Sequence, residues 1–250
     1  MLELRGVSYR YPGSARPAIT GVDLAIAKGE IVGLAGANDS GKSTLCLVAS
    51  GLAPASVGGE LTGDVLVDGA SIRGGRPHEL AARTGIVFQD PATQRSGVTS
   101  SVFEEVALGP VNLGWPAVES VAATRQAART LGIEDLVERH PARVSGGQAE
   151  LVAIASIMAM RPGVLILDEP TAQLDPEATA SVIAAVRAIA AAGTSLLIAE
   201  HRTDVLAALC SRVIVLEAGR VVLDGPVDSV LADSRLDAFG APTTTMGASR

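Results

Sequence analysis

A ten-residue stretch, GANDSGKSTL, constrains this chain more than any other feature. It runs from Gly36 to Leu45, directly behind an apolar run at Ile31–Ala35. Residues 36–43 fit G-x-x-x-x-G-K-[ST], a loop in which successive main-chain N–H groups converge on phosphate oxygens at a helix N-terminus. Such a loop requires a buried strand before it and a helix after it. Both flanks comply, since Ile31–Ala35 reads as a covered strand and STLCLVASGL as a helix ending near Gly51. Gly36, Ala37, Asn38, Asp39, Ser40, Gly41, Lys42, Ser43 and Thr44 then form an anion cradle. Lys42 reaches the β- and γ-phosphates of a nucleotide, and the Ser43 hydroxyl ligates Mg²⁺. Lys42 and Lys28 are the only lysines in the chain, so arginine was not accepted at position 42.

Asp39 stands in the loop where glycine is more usual. Aspartate tolerates positive φ better than most residues. Because the cradle is made of main-chain donors, a carboxylate pointing outward leaves the anion site intact. The expectation is an outward Asp39 and a loop that still binds nucleotide.

Beyond the loop, strand and helix alternate. GDVLVDGASI and TGIVFQD read as strands, and Val102 to about Met160 is helical, with apolar residues three and four apart. GVLILDEP is a continuous apolar run suited to a central parallel strand. PEATASVIAAVRAIAAAG is a helix with Pro176 in its first turn and Gly193 as its stop. TSLLIAEH is a further buried strand, RTDVLAALC a helix, and RVIVLEAGRVVLDG a hairpin turning at Ala218–Gly219. The alternation predicts an α/β fold with a largely parallel sheet into which the helical stretch is inserted. Residues 1–232 form one domain carrying an insert at about 92–160, and 233–250 are expected to be a frayed tail.

The second half of a phosphate site is an acidic residue ending an apolar strand. In LILDE, Asp168 holds Mg²⁺ and Glu169 accepts a proton from an attacking water. Four weaker features follow a fixed order around these two. VFQDP ends a strand at Gln89, and VSGGQ places Ser145, Gly146, Gly147 and Gln148 at a helix start, a second anion-binding geometry. AQLD carries Asp175, and AEHR carries His201 at the end of the next strand.

In this order the motifs make the chain, over roughly 2–231, similar to the ATP-binding-cassette (ABC) ATPases. The resemblance implies a P-loop NTPase (RecA-like) core, an N-terminal antiparallel β subdomain and an inserted α-helical subdomain. It implies ATP and Mg²⁺ as ligands, with Ser43, Gln89 and Asp168 toward the metal and Lys42, Gln89, Glu169 and His201 in catalysis. Two cassettes are implied to stack head to tail, ATP lying between one copy's Gly36–Thr44 and the other's Ser145–Gln148, with Asp175 bridging. Tyr11 matches the aromatic that stacks on adenine, with Tyr9 as the competing candidate. FQDPATQ followed by EEVALGPVNLG resembles more narrowly the ATPases of energy-coupling factor (ECF) transporters. There an ATPase dimer drives a transmembrane T component bearing a substrate-binding S component, for vitamin or transition-metal uptake. The chain departs from the family at Val144, usually leucine, and at Glu150–Leu151, where a Gln-Arg pair is usual. A soluble ABC ATPase, for instance in iron–sulfur assembly, and a weakly active heterodimer partner are the alternative readings.

Composition narrows the partners. Twenty basic against 27 acidic residues leave a net charge of −7, which argues against nucleic acid bound through a basic face. Cys46 and Cys210 fit no metal spacing and read as small apolar residues in a reducing compartment. MLELRGVSYR lacks the apolar core of a signal peptide. The longest apolar stretch, Leu151–Met160, falls short of the ~20 residues that span a bilayer. The expectation is a cytoplasmic protein peripheral to the inner face of the membrane.

Overall fold

The computed structural model describes residues 1–236. The chain opens with two antiparallel strands, β1 (Leu2–Arg10) and β2 (Ile19–Ile26), whose inward positions alternate with exposed ones. It then crosses to β3 (Ile31–Ala35), turns through the glycine loop and enters α1 (Lys42–Ala49), followed by one turn of α2 (Leu52–Ala55). β4 (Glu60–Val67) and the two-residue β5 (Ala70–Ser71) return to the first sheet, giving the order β2-β1-β4-β5, antiparallel throughout. Next come α3 (Pro77–Ala81) and β6 (Thr84–Val87), then the insert of α4 (Val102–Asn112), α5 (Ala117–Leu131) and α6 (Gly146–Met158). The remainder alternates: β7 (Val164–Asp168), α7 (Pro176–Ala191), β8 (Ser195–Ala199), α8 (Thr203–Leu209), β9 (Arg212–Glu217), β10 (Arg220–Pro226) and α9 (Val227–Leu231).

The second sheet has the order β10-β9-β3-β8-β7-β6, parallel except for the β9–β10 hairpin. All five residues of β7 and of β8 are buried, as strands covered on both faces must be. The two-residue period sorts their side chains. Val164, Ile166, Leu197 and Ala199 join Leu2, Leu4, Leu45 and Val48 in a core facing the antiparallel sheet and α1. Leu165, Leu167, Leu196 and Ile198 face Ile154, Val186 and Leu206 of α6, α7 and α8. Two cores thus clamp one sheet and fix the ends of β3, β7 and β8, where the motifs emerge.

The β9–β10 turn at Ala218–Gly219 has positive φ at both residues (45° and 76°), the twist that suits a two-residue hairpin. Of the tail expected from residue 233, residues 233–236 are described. Leu236 is fully buried in the α6–α8 core and its N–H donates to the Asp233 carbonyl, so packing holds the chain through 236. Residues 237–250 of that expectation lie outside the described residues.

The insert packs tightly on the sheet edge. A Cβ added to Gly85 in β6 would lie 2.1 Å from Ile157 Cγ2 of α6. Isoleucine is stiff at χ1 and yields poorly. Gly85→Ala is therefore expected to destabilise the fold by about 1–3 kcal/mol, measured by urea unfolding. An unchanged midpoint contradicts this packing.

Candidate functional site

The loop between β3 and α1 holds its shape through backbone conformations few residues accept. Gly36, Asp39 and Gly41 have φ of 144°, 61° and 106°. A Cβ at Gly36 would come 2.3 Å from the Leu216 carbonyl oxygen, and one at Gly41 2.9 Å from that of Ala18. Only glycine fits either place. Asp39 takes the left-handed conformation and is exposed, on the wall of the cavity that the loop faces. The loop is stitched to the β9–β10 turn by the Gly219 N–H, which donates to the Ser40 carbonyl at 2.9 Å.

α1 begins without a side-chain cap and without an acidic residue in its first turn. No side chain of the helix start therefore caps its leading N–H groups. They face a cavity of about 610 Å³ lined by Tyr11, Arg16, Asn38, Asp39, Lys42, Ser43, Thr44 and Glu169. The Lys42 ammonium donates to the carbonyls of Gly36 and Ala37, each at 2.9 Å. Burial pulls its pKa down, while the charges of Glu169 and Asp168 act to raise it. The Ser40 hydroxyl is buried without a hydrogen-bond partner.

The two tyrosines are separated by the structure. Tyr9 is 1% exposed, and its hydroxyl donates to the Gly58 carbonyl at 2.7 Å. Tyr11, just past the end of β1, stands edge-on to Tyr9 and lines the cavity, with its hydroxyl 3.1 Å from Thr44 Oγ1. Tyr9 belongs to the core and Tyr11 to the site.

At the C-terminal ends of β7 and β8 the polar groups converge. Asp168 is nearly buried. One of its carboxylate oxygens has no partner, and the carboxyl interacts with the Ser43 hydroxyl. Burial raises its pKa, and the Ser43 hydrogen bond offsets part of that rise. Glu169 has φ of 55°, a strained backbone for a residue with a side chain. Its N–H donates to the Ala199 carbonyl at 2.9 Å, which turns its side chain toward the cavity. There its carboxylate lies 2.7 Å from His201 Nε2 and accepts from Gln89 Nε2 at 2.8 Å. Three residues far apart in sequence thus meet on one carboxylate beside the glycine loop.

Ser145–Gln148 stands apart from the phosphate loop, although Ser145 and Gly146 share a cavity wall with Gln89 and Glu169. Ser145 caps α6, its hydroxyl accepting from the Gln148 N–H and its own N–H donating to Gln148 Oε1, a closed capping box. These four residues line cavities that exclude Lys42. Asp175 caps α7 through the Ala178 N–H at 2.8 Å and shares the rim of one of them. Within one chain, this turn and the phosphate loop do not meet. Sequence reasoning did not single out Arg16 on the cavity wall. Nor did it single out Glu200, which is buried one residue before His201. The apolar run ahead of Glu200 was the signal for its burial. Among the described residues no group of three or more His, Cys, Asp or Glu side chains could hold a metal, and no helix is long and apolar enough to cross a membrane.

A profile of the family described as "ABC transporter" matches residues 19–172. The nickel import ATP-binding protein NikO of Rhodobacter capsulatus is 40% identical over 243 residues, 94% of this chain and 92% of that protein. The energy-coupling factor transporter ATP-binding protein EcfA of Methanothermobacter thermautotrophicus is 35% identical over 239 residues, 94% and 74% of the two chains. Among solved structures, cbiO1 of Clostridium perfringens, part of the ABC transporter complex cbiONQ, superposes with a TM-score of 0.82 at 34% identity. That superposition covers 93% of this chain and 90% of the other.

Glu150, on α6, makes no salt bridge among the described residues. It is 2% exposed, one carboxylate oxygen has no partner, and burial pushes its pKa up to about 8. In the unfolded chain a glutamate titrates near ~4.3. Between these values the folded state binds the extra proton, so this carboxyl costs stability progressively as pH rises through that window, and the loss is constant above it. Glu150→Gln is expected to stabilise the fold little at pH 5 and markedly at pH 8, by about a few kcal/mol of unfolding free energy, seen as a higher melting temperature. Equal gains at both pH values, by calorimetry, contradict a buried and unpaired Glu150.

Proposed function

This chain belongs to the ABC transporter family as the ATPase subunit of an importer, and we propose that it energises ECF-type uptake of a vitamin or a transition-metal ion. The observation that carries the catalytic part is the meeting of Glu169, His201 and Gln89 beside the glycine loop. The α1 N-terminus and Lys42 hold the β- and γ-phosphates, and Tyr11 stacks on the adenine. Glu169, an acceptor held by two donors, takes a proton from the water that attacks the γ-phosphate in line with the leaving ADP. His201 orients Glu169 and contacts the γ-phosphate, and Gln89 links both to a partner.

Ser43, Asp168 and the side-chain oxygen of Gln89 are the residues that would hold Mg²⁺. The unpartnered Asp168 oxygen beside the Ser43 hydroxyl fits such an ion, and so few protein ligands suit a cation that keeps phosphates and waters in its shell. Bound there, it neutralises charge developing on the phosphates.

The closed turn at Ser145–Gln148, remote from this chain's own Lys42, supports a second cassette as the partner. Each copy then lends its turn to the other's nucleotide. A membrane T component, bearing a substrate-binding S component, is the remaining partner. An apolar cavity of about 180 Å³ is lined by Leu52, Leu80, Ile86, Gln94, Ile157 and Met160, among others, and suits its docking element. Gln94 accepts from the Phe88 N–H at 2.7 Å and donates to the Ile86 carbonyl at 3.0 Å, so pressure on this cavity reaches the strand end that carries Gln89. The acidic net charge of −7 argues against nucleic acid as a partner.

Glu169→Gln removes the proton acceptor and keeps the shape. Turnover is expected to fall ~10²-fold or more while ATP binding persists, trapping an ATP-bound dimer visible by light scattering. Rapid hydrolysis by that variant overturns the assignment of Glu169. Purification of the tagged chain from native membranes is expected to bring membrane components with it. Recovery only in a soluble assembly contradicts the transport reading.

A further inference from the structure

Glu200 is a carboxylate the scheme above does not use, 1% exposed at the C-terminal end of β8. Burying a charged group is costly unless hydrogen bonds satisfy it. Here three do. One carboxylate oxygen accepts from the N–H groups of His201, at 2.8 Å, and Arg202, at 3.1 Å. The other accepts from the hydroxyl of Thr171, itself 1% exposed.

The two ends of this contact bear on the site. Thr171 lies two residues after Glu169, in a turn closed by the Ala172 N–H donating to the Glu169 carbonyl at 3.2 Å. That turn is anchored to β8 by the Glu169 N–H on the Ala199 carbonyl. On the other side, the two amides that Glu200 holds are those of the catalytic histidine and its neighbour. Arg202 ties the same segment to α7 by donating to Thr179 Oγ1 at 3.1 Å. One buried carboxylate therefore sits between the backbone that aims His201 and the turn that aims Glu169, whose side chains meet 2.7 Å apart.

We propose that Glu200 is a positioning residue for hydrolysis, fastening the His201 segment to the Glu169 turn through the Thr171 hydroxyl so that the Glu169–His201 pair moves as one unit. The proposal rests on the ATPase reading of those two residues. Its chemistry is specific to a buried acceptor. An apolar side chain at 200 leaves two amides and a hydroxyl unsatisfied, and a glutamine replaces one accepting oxygen by a donor.

The test uses Thr171, which touches no reacting group. Thr171→Val keeps the shape and removes the donor, and Thr171→Ser restores the donor. With the full chain and its co-purifying membrane partners, Thr171→Val is expected to lower kcat ~10-fold or more while KM for ATP stays within about twofold, since misplacement of the acceptor acts on the chemical step. Thr171→Ser is expected to stay within about twofold of wild-type kcat. A second readout needs no turnover. The chain has three histidines, so their ring C–H resonances can be followed singly in the isolated protein. Thr171→Val is expected to shift that of His201 and leave those of His78 and His140. Unchanged kcat with an unmoved His201 resonance overturns the proposal. So does a loss that Thr171→Ser fails to rescue, which marks a merely structural role. A wild-type complex without turnover counts against the ATPase reading instead, and the ring resonance then decides the latch by itself.

Discussion

The proposed phosphate site depends on one constraint, the chain's reversal from β3 into α1 with its main-chain donors lining a single cavity. The Leu216 and Ala18 carbonyls leave no room for a Cβ at Gly36 or Gly41. An uncapped helix start then offers its N–H groups and its dipole to an anion. Lys42 is held ready by two carbonyls of the same loop. Asp39 fits the loop because its backbone conformation is left-handed, and it stands exposed at the cavity wall.

The second constraint is two-sided burial of the parallel sheet. Because β7 and β8 are covered on both faces, their register is fixed, and the first places they can present polar groups are their C-terminal ends. Asp168, Glu169, Glu200 and His201 all stand there, opposite the loop that leaves β3. The positive φ of Glu169 is strain located where the acceptor must turn from the sheet toward the cavity. The capped turn at Ser145 lies outside the cavity that holds Lys42, and under the proposed function it serves the nucleotide of a second copy.

Much of this was legible in the sequence because it is written in local signals. Glycines, Lys42 and Ser43 at fixed spacing mark the loop, and unbroken apolar runs mark β7 and β8. Ser145, Asp175 and Pro176 mark helix starts, and an Ala-Gly pair marks a hairpin. The rest depended on contacts between distant segments. Tyr9 and Tyr11 look alike until β1 pairs with its neighbours and carries Tyr9 into the core. Nothing local in AEHR announces that its glutamate faces Thr171, 29 residues earlier. Glu150 stands out in the sequence only as a departure from the family's usual pair, and its burial emerges only in the folded chain. Leu236 reads as part of a polar tail, and a hydrophobic recess on the α6–α8 core claims it.

The most direct measurement is the amide spectrum of the loop itself. In ¹⁵N-labelled protein titrated with ATP and magnesium, the N–H resonances of Gly41, Lys42, Ser43 and Thr44 are predicted to shift strongly and saturably as phosphate oxygens accept from them. Saturable ATP binding that leaves those four resonances in place would contradict the main-chain grip from which the rest of the site is built.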